Sequence, residues 1–312
     1  MNNDILNGNL EERKAPKSIH RRGSKADIII DFIIYFLLTI ITGITLYILI
    51  FVVSASFSEP EAIYQGRVWL LPKGFTLEGY KRVFRDSDIW IGYRNSIVYT
   101  IFGTVISLTL TLTSGYALSR KDLVGRKVIT GIMVFTMFFS GGIIPTYMVV
   151  KNLNLLNTVW ALVLPSAVSM TNVIITRTFF TQNIPNELLE AAQIDGCNNT
   201  RFFISIVLPL SKAIIAVIAL YYAVGIWNDY FQALLYLDSR KLYPLQLILR
   251  EILVQSQLSD MVTDLIEADK LQRISEIVKY ALIIVAALPL LIVYPFLQKY
   301  FVKGIMIGSV KG

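Results

Sequence analysis

Long apolar segments separated by polar stretches dominate the chain. A helix that crosses the ~30 Å hydrocarbon core of a bilayer needs roughly 20 largely apolar residues, and the hydrophobic runs reach that length repeatedly. The pattern therefore predicts an all-α, polytopic membrane protein with six transmembrane helices. The predicted spans lie near residues 28–53, 95–118, 128–150, 158–180, 206–228 and 276–301.

Basic residues beside these spans predict how the protein is oriented. Lys and Arg near span ends are retained on the cytoplasmic side of a membrane. They concentrate in the N-terminal tail and in the loop after the second span, whereas the loop after the third span carries only Lys151. Both termini are therefore predicted to be cytoplasmic. The two basic clusters are Arg13, Lys14, Lys17, Arg21, Arg22 and Lys25, and Arg120, Lys121, Arg126 and Lys127.

The spans and the orientation together predict the organisation of the chain. The first apolar run is much longer than the cleavable core of a signal peptide, about 7–15 residues, so we expect it to be retained as an anchor. The stretch Glu190 to Gly196 is predicted to lie inside the cell. The predicted parts are a cytoplasmic tail 1–27, a permease domain 28–301 with outer loops 54–94 and 229–275, and a cytoplasmic tail 302–312.

Composition supports a single integral membrane domain. The 312 residues are 54% hydrophobic and only 16% charged, with a mean hydropathy of +0.59. The net charge of +7 is explained by topology, because the basic residues adjoin apolar runs instead of forming a face for nucleic acid. The lone Cys197 excludes an internal disulfide, and the lone His20 has no nearby partner ligand, so we expect no metal site.

The sequence offers few groups that could power or catalyse a reaction. Ion-coupled carriers usually keep ionisable side chains deep in their spans, and the predicted span centres have almost none. The chain lacks a phosphate-binding G-x-x-x-x-G-K-[ST] loop, and no acid, base or metal constellation typical of a membrane enzyme is present. Active transport by this chain would therefore need energy from another subunit.

The polar stretch "EAAQIDGCNNTRFFISIVLP", Glu190 to Pro209, predicts a short cytoplasmic helix followed by a turn. Pro185 suits the first turn of that helix, and Asp195-Gly196 ends it because glycine accepts the left-handed conformation. Asn199 or Thr200 is predicted to cap a second helix that continues into the fifth span. The docking side of the first helix is predicted from Leu188, Leu189, Ala191 and Ala192, with Glu187 and Glu190 available to a basic partner.

These residues resemble the signature of a known family. The spacing E-A-A, three residues, Gly, nine residues, Ile, one residue, Leu-Pro is that of the membrane subunits of binding-protein-dependent ABC importers, and it is filled by Glu190, Ala191, Ala192, Gly196, Ile206, Leu208 and Pro209. The resemblance implies a type I ABC importer permease fold. It also implies that the loop 185–209 couples to an ATPase, through Glu190, Ala191, Ala192, Asp195, Gly196 and Pro209.

The resemblance extends from about residue 28 to the end of the chain and is similar to carbohydrate permeases of the maltose-permease type. Segments such as "GGIIPTYMVVKNLNLLNTVWALVLP", "GIWNDYFQALLYL" and "YFVKGIMIGSVKG" resemble the branch associated with complex oligosaccharides, including uronic-acid-containing ones. Two positions depart from the family, which often has Ala at Cys197 and Pro at Ala213. Neither departure removes a charge or turn that docking needs.

The implied function is ATP-driven import of an oligosaccharide across the bacterial plasma membrane. The implied partners are a second, homologous permease subunit in a heterodimer, two ATPase subunits that bind ATP and Mg²⁺, an extracellular sugar-binding protein and membrane lipid. The chain itself is expected to hold no cofactor and not to be an enzyme. Alternatives are an ABC permease for another small solute such as amino acids, and an ion-coupled secondary carrier.

Substrate contacts are harder to locate from the sequence. Aromatic faces stack on sugars and amide or carboxylate groups bond hydroxyls, which makes Trp227, Asn228, Asp229 and Tyr230 candidates, although aromatics also anchor membrane interfaces. Asn172 could face the pathway or bond another helix. The segment Ser140 to Pro145 is predicted to break or kink the third span.

The outer 229–275 loop has two interpretations. In relatives of the maltose type the corresponding loop reaches into the docked binding protein, which suits the acidic stretch at 260–269. Alternatively, an amphipathic helix bearing Leu245, Ile248, Leu249 and Leu253 lies on the membrane surface.

Overall fold

A computed structural model describes residues 25–261 and 277–295, together with Gln298. These residues form helices and connecting segments, and no strand occurs among them. The predicted tails, 1–27 and 302–312, lie almost wholly outside the described ranges. The chain divides into one unit of residues 1–50 and a second of residues 51–312, and each is described by itself.

The described part of the first unit belongs to one long helix, α1, Lys25–Ser56. Its side chains from Asp27 to residue 50 are exposed and almost all apolar, as a lipid-facing span requires. The hydroxyls of Thr39 and Thr45 donate to the carbonyls of Tyr35 and Ile41 at 2.7 and 2.8 Å. These polar groups are thus satisfied within the helix, which is the condition for burial in hydrocarbon. The predicted span 28–53 is confirmed as a helix.

The second unit is organised around α4, Ser87–Ser119, against which α8, α12 and α14 pack. Glycines on α4 allow this close approach. A Cβ at Gly103 would lie 2.7 Å from Ile226 Cδ1 on α12, and one at Gly115 would lie 2.7 Å from Thr176 Cγ2 on α8.

The described α-helices of the unit after α1 are α2 Pro60–Tyr64, α3 Glu78–Arg85, α4, α5 Arg126–Phe138, α6 Ile143–Asn152, α7 Trp160–Val163, α8 Met170–Asn183, α9 Asn186–Ile194, α10 Asn199–Phe202, α11 Leu208–Leu210, α12 Lys212–Asn228, α13 Phe231–Tyr236, α14 Leu245–Met261 and α15 Ile277–Pro295.

Three of the six predicted spans are single helices long and apolar enough to cross a membrane, at Asp27–Ser56, Ser87–Ser119 and Ile277–Pro295. The third predicted span is instead a pair, α5 and α6, bent by 114°. The break falls at Phe139 to Gly142, and Gly142 has φ +83°. The predicted interruption within "SGGIIP" is confirmed, since only glycine adopts this backbone conformation at little cost.

The fourth predicted span, 158–180, is not one helix, and that expectation needs correction. The four-residue α7 ends at Val163, and α8 begins only at Met170. Pro165 lies in the interval, where its missing N–H and its ring oppose a continuous helix. With 14 residues, α8 is roughly 21 Å long at 1.5 Å per residue, which is shorter than the bilayer core.

The fifth predicted span is also bent, which corrects the expectation of a helix running straight into it. The segment Asn199–Leu210 meets α12 at 85°. Residues Phe203–Val207 form a π-helical turn that ends two residues before Pro209. Proline cannot donate the backbone bond that would continue an α-helix there, and π-turns and prolines are the usual sites of sharp bends.

The loops assemble at opposite ends of α4. Near the Ser87 end, Asn95 Nδ2 donates to the carbonyls of Lys241 and Tyr243 at 2.8 and 3.1 Å. At the Ser119 end, the Tyr116 ring contacts Phe203 with centroids 4.8 Å apart. With 33 residues, α4 is about 50 Å long. The described parts of the two predicted outer loops therefore share one end of the bundle, and the 185–209 loop lies at the other.

We expect the close contact at Gly115 to be more sensitive to substitution than an exposed helical glycine. Leucine at position 115 would overlap Thr176, and overpacking of this kind costs about 1–3 kcal/mol. At Gly131 on α5 no atom lies within 4 Å of an added Cβ, so Gly131→Leu is the matched control. Gly115→Leu should lower the thermal unfolding midpoint of the detergent-purified chain while Gly131→Leu leaves it in place. Equal midpoints for the two variants would contradict the close α4–α8 packing.

Candidate functional site

The signature stretch contains a short helix with a defined C-terminal cap. Helix α9 follows Pro185, which occupies the N-cap position instead of the first turn. At the other end Gly196 has φ +74°, the N–H of Cys197 donates to the carbonyl of Ala192 at 2.8 Å, and the N–H of Gly196 donates to Gln193 at 3.0 Å. This bond pair is the Schellman motif. The predicted left-handed stop at glycine is confirmed.

The predicted docking side of α9 divides between two faces. Ala192 is buried and Leu189 is half-buried, and both pack against the protein's own interior. Leu188 and Ala191 are exposed. The expectation that all four residues share one docking side is therefore wrong, because at 3.6 residues per turn the four positions spread over about 160° of the helix circumference, and only part of that arc meets the protein interior.

The outward face of α9 presents a distinct set of groups. Glu190 and Ala191 are exposed, and Ile194 next to the cap is 86% exposed. Ile194 lies four residues after Glu190 and three after Ala191, so its side chain is next to both of theirs on the helix surface. A small apolar patch beside a carboxylate is thereby held outward by a helix whose opposite side is fixed.

An aromatic cluster fixes the opposite side of α9. Ala192 packs with Phe180 of α8 and Phe202 of α10, both almost fully buried. The ring of Tyr116 on α4 lies edge-on to Phe180 with centroids 6.2 Å apart, and Phe203 packs on the same tyrosine. The buried side of α9 is thus packed against aromatic side chains that also contact α4 and α8.

The turn after α9 starts the segment that leads to the bend. Asn198 Oδ1 accepts from the N–H of Arg201 at 2.8 Å, so Asn198 is the N-cap, and the predicted cap at Asn199 or Thr200 is wrong by one or two residues. Asx side chains are the preferred caps because they satisfy an otherwise unpaired helical N–H. Pro209 lies within α11, two residues before the bend at Ser211. The signature therefore extends from the exposed helix to the point where the chain turns into α12.

A basic loop lies beside this site. Arg120 pairs with Asp122 through two bonds, Nε–Oδ1 at 2.9 Å and Nη2–Oδ2 at 2.7 Å. This guanidinium lowers the pKa of the Asp122 carboxyl, and Arg126 donates to the carbonyl of Arg120 at 3.2 Å. A cleft of about 320 Å³ separates the loop from α8 and α9, with Lys121 and Glu187 among its lining residues.

The candidate substrate residues lie at the other end of the unit, except Asn172. Trp227 of α12 is buried. Its Nε1 donates to the carbonyl of Ala286 on α15 at 3.1 Å, and its ring lies edge-on to Tyr93 of α4, so it packs α12 against both helices. Asn172 is buried on α8. The structure therefore does not bring the candidate pathway residues together into one pocket, and their role stays a prediction.

The three residues after Trp227 have different surroundings. Asn228 is exposed and donates to the carbonyl of Val224 at 2.9 Å. Asp229 is partly buried, which raises the pKa of its carboxyl, and it lines a cavity of only about 20 Å³. Arg250 lies 5.4 Å from the ring centroid of Tyr230. In this conformation the cavity at Asp229 is too small for a sugar ring.

Sequence reasoning missed a row of polar side chains that holds the outer segment. The amide of Asn95 bonds two carbonyls of the 241–243 segment, Ser96 Oγ accepts from the N–H of Leu245 at 2.9 Å, and Tyr99 donates to the carbonyl of Leu242 at 3.0 Å. These three residues fix the start of α14 to α4. Polar residues within one stretch of an apolar helix were the available signal, because such groups mark contacts between helices.

The segments of this chain that match known proteins include both α9 and the outer segment that leads into α14. Residues 18–307 match the family described as binding-protein-dependent transport system inner membrane components. Protein LplC of Bacillus subtilis (strain 168) is 44% identical over 273 residues, which are 86% of this chain and 90% of that protein. The polygalacturonan/rhamnogalacturonan transport system permease protein YtcP of the same organism is 44% identical over 283 residues, which are 90% of this chain and 98% of that protein.

A solved structure is similar over nearly the same length. One chain of a bacterial ABC transporter involved in the import of the acidic polysaccharide alginate superposes with a TM-score of 0.80 at 34% identity. The match covers 89% of this chain and 99% of that chain.

Proposed function

Because the chain belongs to the family of binding-protein-dependent transport system inner membrane components, we propose that it forms the pore of an ATP-driven oligosaccharide importer together with a second, homologous permease subunit. The chain is a multi-pass membrane protein with the type I ABC importer permease fold. The observation that carries the proposal is the match over almost the whole chain to the YtcP permease and to the alginate transporter. Two separate ATPase subunits would bind ATP and Mg²⁺, and an extracellular binding protein would deliver the sugar.

The proposed substrate is an oligosaccharide that contains uronic acids. The printed name of YtcP specifies polygalacturonan and rhamnogalacturonan, and the alginate transporter imports an acidic polysaccharide. Galacturonate and the sugars of alginate share a carboxylate on the pyranose ring. Two relatives that handle acidic sugars support this class over neutral sugars and over amino acids, the alternative solute.

Transport assays on cells with and without this gene test the substrate class. We expect a deletion strain to lose uptake of labelled oligogalacturonides, and a plasmid copy to restore it, because the pore subunit is required for passage. Uptake of a neutral maltooligosaccharide and of an amino acid mixture by the same strains serves as the control. Loss of amino acid or maltooligosaccharide uptake, with oligogalacturonide uptake retained, would contradict the proposal.

The proposed orientation places the 185–209 loop and both termini in the cytoplasm. Basic residues at Arg120 to Lys127 lie at the same end of α4 as α9, while Asp88 and Asp238 lie near the opposite end. The positive-inside rule favours the cytoplasm for the basic end. The end that holds α14 would then face the binding protein.

Single cysteines in a Cys197→Ala background test this orientation. Cysteines at Ser24 and Val124 should resist a membrane-impermeant thiol reagent in intact cells and react after permeabilisation, whereas one at Asp238 should react in both. Val124 and Asp238 are exposed, so protein burial does not explain protection. Labelling of Val124→Cys in intact cells would show that the topology is the opposite of the one proposed.

The proposed coupling surface is the outward face of α9. Glu190 suits a basic site on the ATPase, Ala191 permits close approach, and Ile194 supplies apolar area that would otherwise be exposed to water. Closure of the ATPase dimer on ATP would move α9, and the aromatic cluster around Tyr116 would carry that movement to α4 and α8. Alternating access of the pore follows from such a rearrangement.

Glu190→Lys and Ile194→Asp should weaken the ATPase contact while leaving the chain inserted. We expect at least about tenfold weaker association, equivalent to ~1.4 kcal/mol, in co-purification with the ATPase subunits, and a matching loss of uptake. Asp238→Lys makes the same charge change as Glu190→Lys at an exposed position near the other end of α4, so it should keep full ATPase association. Unchanged association in both α9 variants would remove this face from the coupling contact.

A further inference from the structure

An apolar groove with two cations at its edge lies between α3 and α15. Its volume is about 700 Å³, and its walls are almost entirely hydrophobic. No carboxylate is among the described residues that line it. The lining residues are Phe57, Leu77, Tyr80, Lys81, Phe84, Arg85, Ile284 and Leu288.

Close packing of α3 on α15 makes the groove a fixed feature. A Cβ added at Gly79 would lie 2.5 Å from Ile277 Cγ2 and 3.2 Å from Ala281 Cβ, so the backbone of α3 rests directly on α15. Val83, one turn later, is fully buried against the same helix cluster. The buried side of α3 thus holds the groove walls in place.

The basic residues of α3 are not equivalent. Arg82 Nη2 pairs with Glu78 Oε1 at 3.0 Å and does not line the groove. Lys81 and Arg85 are four residues apart, so they project from the same face of the helix, and both line the groove. The positive charge at the groove is therefore left without a lining carboxylate in the described part of the chain.

The groove reaches along α15 as far as Leu288, a depth that is measured here from the first described residue of that helix. Leu288 lies eleven residues beyond Ile277, the first described residue of α15, which corresponds to about 16 Å at 1.5 Å per residue. Half of the ~30 Å hydrocarbon core is ~15 Å. Exposed aromatic side chains, Phe75, Phe84 and Trp90, surround the α3 end, as is typical of a membrane–water interface.

We propose that this groove binds one anionic phospholipid of the adjacent leaflet. Its phosphate group lies against Lys81 and Arg85, and one acyl chain follows Tyr80, Ile284 and Leu288 along α15. Charge complementarity favours this occupant over a transmembrane helix of a partner subunit, because a helix would bury two cations against apolar side chains, which is costly. The lipid keeps both charges at the polar interface while it fills the apolar wall.

Single neutralising substitutions test the headgroup contact. Lys81→Gln and Arg85→Gln should each reduce the phosphatidylglycerol retained by the affinity-purified transporter, measured by native mass spectrometry, by about fivefold, because one basic residue near a membrane surface contributes roughly 1 kcal/mol to anionic lipid binding. Arg82→Gln removes the same charge from the same helix and should leave retention at the wild-type level. Unchanged retention in Lys81→Gln and Arg85→Gln, or an equal loss in Arg82→Gln, would overturn the proposal.

A photo-crosslinking residue at Leu288 identifies the occupant in the otherwise wild-type assembly. Irradiation in native membranes should give a phospholipid adduct on the peptide that contains residue 288. A protein adduct in place of the lipid adduct would show that a neighbouring subunit fills the groove and would refute the assignment. Ile284→Trp, which fills the groove while both cations are kept, should suppress the lipid adduct.

Discussion

Close packing of helices against α4 is the interaction on which the rest of the second unit depends. Apolar side chains gain little by leaving lipid for a protein interior, so helices in a membrane associate through close van der Waals contact and hydrogen bonds. Gly92, Gly103 and Gly115 bring α14, α12 and α8 close to the α4 backbone. Both ends of the unit are positioned by this one helix.

Hydrogen bonds also join the helices that pack around α4. Midway along α4, Thr111 and Tyr222 share a bond of 2.6 Å, and the Tyr222 hydroxyl also accepts from the N–H of Ser169 at the start of α8. This tyrosine joins three segments and satisfies an N–H that the break before α8 leaves unpaired. Interrupted helices are tolerated within a membrane where neighbouring groups satisfy the freed backbone in this way.

The two ends of α4 have different consequences for function. At one end the polar row of Asn95, Ser96 and Tyr99 fixes the backbone that leads into α14. At the other end Tyr116 packs on the segment that follows α9. One continuous helix therefore connects the packing around α9 with the loops at the far end, an arrangement that suits alternating access in the proposed importer.

The sequence by itself determined the membrane class, the spans at α1, α4 and α15, the break at "SGGIIP" and the glycine-ended helix of the signature. Each depends on hydropathy over about 20 residues or on a local conformation that few residues adopt. Only the tertiary structure decided that α8 is short, that the chain bends by 85° at Ser211, that Ala192 faces inward while Ile194 is exposed, and that Trp227 is buried between helices. Those outcomes depend on which neighbour each side chain meets, and hydropathy along one chain does not specify its neighbours.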